Sequence, residues 1–211
     1  FRFLGGAEAL EDDSWHRDRS QCIPAVISPD RDLHGLVEFR MNGVRTTRLD
    51  AAFPVLHGRN GEDGTVQGLC ELAGIPVIGC GTLASALCMD KDRAHKLASL
   101  AGVEVPRSVC FSGLPSQAEL ETLTRSLTFP VFVKPVRAGS SFGITKVENP
   151  ANLRAAVRDA LRYDREVIVE EAIAGFEVGC AVMGNAELTT GRADEIEIQG
   201  DLFDYTEKYN L

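Results

Sequence analysis

FVKPVRAGSSFG, from Phe132 to Gly143, is the stretch that decides the fold. An apolar strand delivers Lys134, and a short loop of small residues follows it. In the Walker pattern the lysine comes after the glycines and a helix follows, whereas here the lysine comes first and a further strand is predicted over residues 144–147. The order predicts a glycine-rich loop between two strands, whose backbone N–H groups and hydroxyls close over phosphate oxygens. A plain hairpin turn is the alternative that this stretch alone leaves open.

The charge and cysteine content of the chain narrow the class of protein. The net charge of −9 argues against nucleic acid or an anionic membrane as the main partner. No apolar run in the sequence is long enough to span a membrane, and we expect no signal peptide. The six cysteines form no C-x-x-C and no zinc-type spacing, and most have apolar neighbours. We therefore expect buried, reduced thiols and a cytoplasmic protein.

Hydrophobic periodicity and end signals predict the elements around the loop. Residues 51–56 are predicted to form a buried parallel strand, followed by a helix over 65–72 and a strand over 76–79, which makes a βαβ unit. Further along, a helix is predicted over 90–101, and strands over 130–136, 167–169 and around 195–198. Ser116 and Glu119 form a capping box, and Asn149 is predicted to cap a helix that has Pro150 at its first position.

Four other stretches carry a resemblance to a known family. They are LHGRNGEDGTVQG (56–68), SALCMDKDRAHKL (85–97), EEAIAGFEVGCAV (170–182) and FDYTEKY (203–209). In this order and spacing the chain resembles the D-alanine–D-alanine ligase family of the ATP-grasp superfamily. IPAVISPDRDLHGLV (23–37) also resembles the vancomycin-resistance branch, which joins D-alanine to D-lactate or D-serine.

The resemblance implies an α/β chain with an α+β ATP-grasp domain. It implies a partial, Rossmann-like amino-terminal substrate domain over 1–79, a first ATP-grasp subdomain with the phosphate loop over 80–172, and the start of a second subdomain over 173–211. It also implies an internal fragment of a longer enzyme, inactive on its own, that forms a homodimer when full length. The ligands for Mg²⁺, an Asp, a Glu and an Asn, are expected beyond residue 211, so we name no metal ligand in this chain.

The activity implied is an ATP-driven ligation in peptidoglycan synthesis. The carboxylate of D-alanine takes the γ-phosphoryl group and becomes an acyl phosphate. The amine or hydroxyl of a second D-amino or D-hydroxy acid then attacks that carbonyl and expels phosphate. Such a site must neutralise phosphate charge, hold two small substrates and exclude water.

Two lysines and the glycine-rich loop match the family residues that contact the nucleotide phosphates. Lys134 and Lys91 match two family lysines on the nucleotide phosphates, although solvated surface lysines are the simpler interpretation of each. Gly139, Ser140 and Ser141 match the family residues whose backbone covers the phosphates. Ser140 also matches the family serine that joins a hydrogen-bond network over the active site. No G-x-S-x-G elbow is present to suggest a hydrolase nucleophile.

Other positions in the chain match the family residues that contact the adenine base, the ribose and the first substrate. Glu170 matches the acceptor for the adenine amino group, Ala172 and Ile173 match the hinge beside the base, and Glu177 matches the carboxylate on the ribose hydroxyls. A charged strand end is the simpler interpretation of these glutamates. His57 and Glu62 lie in the HG-x-x-GEDG loop, which in the family lies by the first D-alanine.

FDYTEKY is the motif that bears on the second substrate. Tyr205, Lys208 and Tyr209 match a mobile loop over the substrates, in which Lys208 can reach phosphate and Tyr209 can hydrogen-bond towards Ser140. D-lactate ligases of the resistance branch lack this motif. An amine must lose its proton before it attacks, and a tyrosine hydrogen-bond network suits that proton loss better than it suits a hydroxy acid. We therefore expect D-serine or D-alanine rather than D-lactate as the second substrate.

Three alternatives stay open at this point. The first is a D-alanine–D-lactate ligase of glycopeptide resistance. The second is another ATP-grasp carboxylate ligase, such as a biotin-dependent carboxylase, which would lack HGRNGEDGTVQG and FDYTEKY. The third is a non-catalytic nucleotide-binding module or a degenerate ligase remnant, which would need to have lost its phosphate contacts.

Overall fold

The computed structural model describes residues 1–12 and 14–196, and these fall into two compact units. The first unit covers Phe1–Leu87 and the second begins at Cys88. The predicted domain boundaries after residues 79 and 172 stay predictions. Tyr205, Lys208 and Tyr209 lie outside the described residues, as does the end of the strand predicted around residues 195–198.

The first unit is built from short strands and short helices. Its elements are β1 (Arg2–Phe3), α1 (Glu8–Glu11), α2 (Ser14–Arg17), β2 (Cys22–Ile23), β3 (Ala25–Ile27), β4 (Gly35–Arg40), β5 (Gly43–Arg48), α3 (Thr65–Leu72) and the start of α4 (Thr82–Met89). β3, β4 and β5 form an antiparallel sheet, and β1 pairs with β2. A small core of Cys70, Ala73 and Ile75 lies at the end of α3. The helix predicted over 65–72 is confirmed.

The strand predicted over residues 51–56 is wrong as a buried strand. Its pairing is parallel, as predicted, but it consists of a single bridge between Ala52 and Val77. Phe53 and Val55 are 71% and 72% exposed. Ala52 is partly buried against the core formed by Cys70, Ala73 and Ile75. Phe53, Val55 and Leu56 are exposed, so the described residues do not form the buried strand that the composition suggested.

The second unit is organised around a four-stranded sheet. Its elements are α5 (Lys91–Leu100), β6 (Ser108–Ser112), α6 (Gln117–Thr124), β7 (Val131–Pro135), β8 (Thr145–Val147), a 3₁₀ turn (Pro150–Asn152), α7 (Leu153–Ala160), β9 (Glu166–Glu171), β10 (Glu177–Gly184) and β11 (Leu188–Ile196). The sheet order is β6-β9-β7-β8 with every pair antiparallel.

Alternation along β7 gives this sheet one face that packs on the core and a second face that also carries charged side chains, which we call the polar face. Val131 and Val133 are fully buried in a core that includes Leu120 of α6 and Val157 of α7. Phe132 and Lys134 point to the opposite face, because successive strand residues alternate. Phe132 is paired with Glu170 of β9, so Lys134 and Glu170 are diagonal neighbours on that face.

One of the two predicted cap hydrogen-bond patterns is confirmed, and Asp90 caps α5 without having been predicted to. Ser116 and Glu119 form the complete capping box of α6, and the side chain of Asp90 accepts the backbone N–H of Arg93 to cap α5. Asn149 holds the predicted cap position, but without a side-chain cap hydrogen bond and before a 3₁₀ turn. Pro150 does occupy the first position of that turn.

The prediction that the thiols are buried is wrong in part. All six cysteines are free, and Cys70 is buried. Cys80, Cys88 and Cys180 are exposed. Cys180 lies in the β10–β11 hairpin, where apolar neighbours in sequence such as Val178 and Val182 are themselves 59% exposed. No helix in the part of the chain that the structure describes is long and apolar enough to cross a membrane.

Candidate functional site

Lys134 and Glu170 form the centre of the polar face. The Lys134 ammonium makes an ion pair and hydrogen bond with Oε1 of Glu170. Its Nζ also lies 5.3 Å from the centroid of the Phe132 ring, which gives the cation a second favourable neighbour. The side chains of Lys134 and Glu170 are only 20% and 6% exposed. A lysine placed this way is not a solvated surface residue.

One oxygen of Glu170 is buried without a hydrogen-bond partner among the described residues. Oε2 accepts no hydrogen bond from them, and Nε2 of His95 lies 3.9 Å from it. Nδ1 of His95 is likewise buried without a partner. Buried polar atoms are nearly always satisfied, so unpaired ones mark a place where a ligand can complete the hydrogen bonding. Oε2 of Glu170 can take a hydrogen bond from an amino group.

Lys91 joins the first turn of α5 to the base of the glycine-rich loop. Its backbone N–H donates to the carbonyl of Val136 at 3.1 Å, and its Nζ donates to the carbonyl of Ala138 at 2.8 Å. Burial, together with the nearby Lys134 cation, lowers the pKa of Lys91 to about 8, although Glu170, Asp164 and Asp90 act in the opposite direction. An anion bound beside it would restore its charge.

The loop itself has an unusual backbone. Ser140, Ser141 and Gly143 all have positive φ, at 50°, 59° and 71°. Left-handed residues that are not glycine are uncommon and costly. Backbone N–H groups that follow one another in a turn can form an anion-binding concavity. The backbone N–H of Phe142 donates to the carbonyl of Gly139 at 3.1 Å and closes the turn.

Arg137 anchors the beginning of the loop in a cluster of carboxylates. Its Nε and Nη2 donate to the two oxygens of Asp164, at 3.0 and 2.9 Å, and it also pairs with Glu166 and Asp90. The hydrogen bonds that Arg137 donates to Asp164 and Glu166 raise its pKa, in spite of its burial. Burial would raise the pKa of Asp164, but hydrogen bonds from Arg137 and the backbone of Glu166 hold it below its usual value.

The residues assigned to the base and ribose lie at the end of β9 and beyond it. The backbone N–H of Ala172 donates to the carbonyl of Pro130 at 3.0 Å, which ties the segment to the residue before β7. Ile173 is 71% exposed. Glu177 is exposed and begins β10, where it is paired with Ile196. Their assigned roles stay predictions.

The His57 loop belongs to the first unit. His57 is exposed. The Glu62 carboxylate accepts the backbone N–H of Gly58, and Asp63 accepts the backbone N–H groups of Asn60 and Thr65 at 2.8 and 3.1 Å. Burial opposes ionisation of Asp63, but these hydrogen bonds lower its pKa. The structure thus gives both acidic residues a part in holding the loop around His57.

Sequence reasoning missed three residues beside this site. They are His95, Tyr163 and Asp164. His95 follows Lys91 by four residues on α5, so helical spacing could have placed it on the same face. Tyr163 and Asp164 follow the last turn of α7, where polar residues are unremarkable, and only their approach to the loop in space distinguishes them.

Two family models together match most of the chain. A model described as D-ala D-ala ligase N-terminus matches residues 4–80, and one described as D-ala D-ala ligase C-terminus matches residues 101–211. Among curated relatives, the vancomycin B-type resistance protein VanB of Enterococcus faecalis is 48% identical over 190 residues, which is 90% of this chain and 53% of that protein. A putative D-alanine–D-lactate ligase of Streptomyces coelicolor is 47% identical over 188 residues, or 88% of this chain and 53% of that protein.

A solved structure agrees with the fold. The VanG D-Ala:D-Ser ligase from Enterococcus faecalis superposes with a TM-score of 0.85 at 55% identity, covering 100% of this chain and 60% of that one. This likeness confirms the predicted α+β ATP-grasp fold class. The chain spans about half the length of the curated relatives that it matches.

Proposed function

The chain belongs to the D-alanine–D-alanine ligase family, and from that membership we propose that it takes part in the ATP-dependent ligation of D-alanine to D-alanine or D-serine. The product would be the terminal dipeptide of a peptidoglycan precursor. Relatives named for vancomycin resistance are among the most similar proteins, which supports a place in that branch. We further propose a cytoplasmic enzyme that is a homodimer at full length, which light scattering would test.

The single observation that carries this proposal is the arrangement of Lys91, Lys134 and Glu170 beside the glycine-rich loop. The two cations suit phosphate oxygens, and the loop offers backbone donors. The unpartnered Oε2 of Glu170 suits the amino group of adenine. The residues present therefore fit ATP, and they match the family positions on which the resemblance rests.

When bound, ATP supplies the phosphoryl group that converts the D-alanine carboxylate into an acyl phosphate as ADP leaves. Lys91 and Lys134 would offset the charge of the phosphates, and donors fixed before the reaction do so without reorganisation. Gly139, Ser140 and Ser141 would cover the phosphates and keep water from the acyl phosphate. Ala172, Ile173 and Glu177 would hold the base and ribose.

In the second step the amine forms the C–N bond, phosphate leaves and the attacking nitrogen gives up a proton. His57 and Glu62 would lie by the first D-alanine. Ser140 and Tyr209 would form the hydrogen-bond network that accompanies proton loss from the second amino acid. Tyr205 and Lys208 would close over the substrates and the phosphate. These roles are proposals carried over from the family.

Magnesium is part of the proposal through the family alone. Across residues 1–12 and 14–196, no three His, Cys, Asp or Glu side chains gather as ligands for a metal ion. The described residues therefore do not fit the ion by themselves, and we assign no metal ligand and derive no step through it.

D-lactate is the second candidate acceptor. The observation in its favour is the 47% identity to a putative D-alanine–D-lactate ligase. Against it stands the 55% identity to the VanG D-Ala:D-Ser ligase over the whole chain. The tyrosine-bearing FDYTEKY motif also favours an amine.

The test is a competition between acceptors. The full-length enzyme is given ATP, magnesium, D-alanine and equal concentrations of D-serine and D-lactate, and its products are identified by mass. We expect D-alanyl-D-serine or D-alanyl-D-alanine to dominate. Mostly D-alanyl-D-lactate would overturn the acceptor, and no ADP release with any D-amino acid would overturn the ligase activity itself.

A pair of variants on one helix tests the phosphate site. Lys91→Met removes a cation beside the loop, and we expect kcat/KM for ATP to fall by about 10²-fold or more. Lys96→Met is the matched control, because Lys96 lies on the same helix with its side chain 69% exposed and paired to Asp92. Equal effects of the two changes would contradict the assignment of Lys91.

A further inference from the structure

Two adjacent residues after α7 touch the two ends of the glycine-rich loop. Asp164 binds Arg137, which precedes Gly139. Tyr163 stacks on Phe142, which follows Ser141. We propose that Tyr163 and Asp164 are positioning residues that clamp the loop at both ends and hold its backbone N–H groups in the arrangement that binds phosphate. This inference rests on the proposed function, since it assigns the ATP phosphates to the loop.

The Asp164 contact is strong and leads directly to a phosphate-binding lysine. Asp164 accepts two hydrogen bonds from the guanidinium of Arg137 and a third from its backbone N–H at 2.8 Å. Bidentate contacts between charged groups fix orientation as well as distance. The next residue, Ala138, offers its carbonyl to the Nζ of Lys91 at 2.8 Å. A shift of Arg137 would therefore move the acceptor that orients Lys91.

The Tyr163 contact holds the other end of the glycine-rich loop through close packing. The rings of Tyr163 and Phe142 stack with centroids 6.2 Å apart and an interplanar angle of 25°. Gly143 packs so closely that a Cβ built on it would lie 2.5 Å from Cδ2 of Tyr163 and 2.9 Å from Cγ of Pro135. Tyr163 therefore fits against both the side chain of Phe142 and the backbone of Gly143.

The segment between the two contacts needs support from outside. Ser140 and Ser141 both have positive φ, and such residues persist where the surrounding structure enforces them. The loop between the contacts consists of small residues that cannot form a core of their own. Tyr163 and Phe142 are 49% and 47% exposed, so their contact adds little to the buried core. Its position points to a role in the loop.

The test compares a ligand that has phosphates with one that has none. Full-length Tyr163→Ala and Asp164→Ala are titrated calorimetrically with a non-hydrolysable ATP analogue and separately with adenosine. We expect the affinity for the analogue to fall about 10-fold or more, with adenosine affinity unchanged, and kcat/KM for ATP to fall about 10- to 100-fold. A structural defect alone would weaken both ligands together.

Three further variants complete the design. Arg162→Ala is the matched control, because its side chain is 73% exposed and pairs only with Asp159 at 3.4 Å in the described contacts. Tyr163→Phe keeps the ring and should restore analogue binding. Phe142→Ala removes the same stacking contact from the loop side. It therefore still tests the clamp if the substitutions at Tyr163 and Asp164, between α7 and β9, prevent folding.

The outcomes separate the two proposals. Wild-type protein that binds neither analogue nor adenosine would overturn the proposed function. Wild-type protein that binds the analogue, with Tyr163→Ala, Asp164→Ala and Phe142→Ala binding it equally well, would overturn the clamp while leaving the function intact. Failure of Tyr163→Phe to restore binding would also contradict the stacking argument.

Discussion

Lys91 carries a charge that depends on what lies beside it. Burial and the neighbouring Lys134 lower its pKa to about 8, so the free protein loses this proton as the pH rises through that value. Phosphate oxygens would favour the charged form and raise the pKa again. Nucleotide binding above pH 8 should therefore be accompanied by proton uptake at this residue.

The prediction is an uptake of about 0.8 proton per bound nucleotide at pH 8.5 and close to none at pH 7, as follows from a free-state pKa near 8. Calorimetric titration of a non-hydrolysable ATP analogue in buffers with different ionisation enthalpies measures it. Lys91→Met should abolish the uptake, whereas Lys96→Met should leave it unchanged. An uptake that survives Lys91→Met would assign the proton to another group.

Gly143 shows how closely the loop is packed. Its φ of 71° lies in the left-handed region, and a Cβ would meet the Tyr163 ring and Pro135. Gly143→Ala should therefore combine backbone strain of about 1–2 kcal/mol with a steric clash. We expect a lower free energy of unfolding and a higher KM for ATP, measured by denaturant titration and by steady-state kinetics.

Gly113→Ala separates the two causes. Gly113 has nearly the same φ, 73°, but a Cβ there would meet nothing within 4 Å. It should therefore show the strain without the clash, and without the change in KM. Equal losses in the two variants would mean that the Tyr163 ring yields to the added methyl group.

At the scale of elements, sequence predicted what local signals control. The capping box at Ser116 and Glu119 marks the start of α6 because the side chain of each residue accepts a hydrogen bond from the backbone N–H of the other. This exchange does not depend on what packs around the helix. The lysine at the end of β7 and the small residues after it are likewise visible in one window. The sequence resemblance then assigned Glu170 to the same site, and the strand register brings it beside Lys134.

What sequence could not predict depends on contacts between distant segments. Arg137 and Asp164 are 27 residues apart in sequence, and no local sequence pattern around either residue predicts their contact. The run at 51–56 has the composition of a buried strand, but burial depends on which layers cover it. Asn149 stands where a cap belongs, yet a 3₁₀ turn follows it and its side chain makes no cap bond.

Glu38 joins the strands of the first unit through charge. Its buried carboxylate binds Arg40, Arg2 and Thr47, which lie on or beside β4, β1 and β5. Hydrogen bonds from Arg40 and then Arg2 outweigh burial and lower its pKa from the ordinary glutamate value of 4.5 to about 2. Its contribution to stability is therefore complete above pH 4.5 and is lost as the pH falls towards 2.

The prediction is that Glu38→Gln lowers the unfolding temperature at pH 7 and flattens its fall between about pH 4.5 and 2. Trp15 is the only tryptophan in the sequence and lies in the same unit, so its fluorescence follows this transition. Glu8→Gln is the control, since Glu8 is an exposed glutamate of α1. A wild-type acid dependence that Glu38→Gln leaves unaltered would show that other carboxylates govern it.

At the scale of the whole molecule, the two units have separate cores. The residues Cys70, Ala73 and Ile75 form one, and the β7–β9 sheet with α6 and α7 forms the other. Lys91, Lys134, the glycine-rich loop and Glu170 all belong to the second unit. A ligand that binds only these residues should therefore stabilise the second unit and leave local opening of the first unit unchanged.

Hydrogen exchange with mass spectrometry would measure this difference. A non-hydrolysable ATP analogue at about 100 times its dissociation constant adds about 2.7 kcal/mol to the folded state, so globally exchanging amides should slow about 100-fold. We expect this slowing at Val131, Val133 and Val169, and little change at Cys70 and Ile75. Equal slowing in both cores would show that the units unfold as one cooperative body, and the ligand would then report on the stability of the whole chain. Slowing in neither core, at a concentration that saturates the site, would place the nucleotide outside the residues to which we assign it.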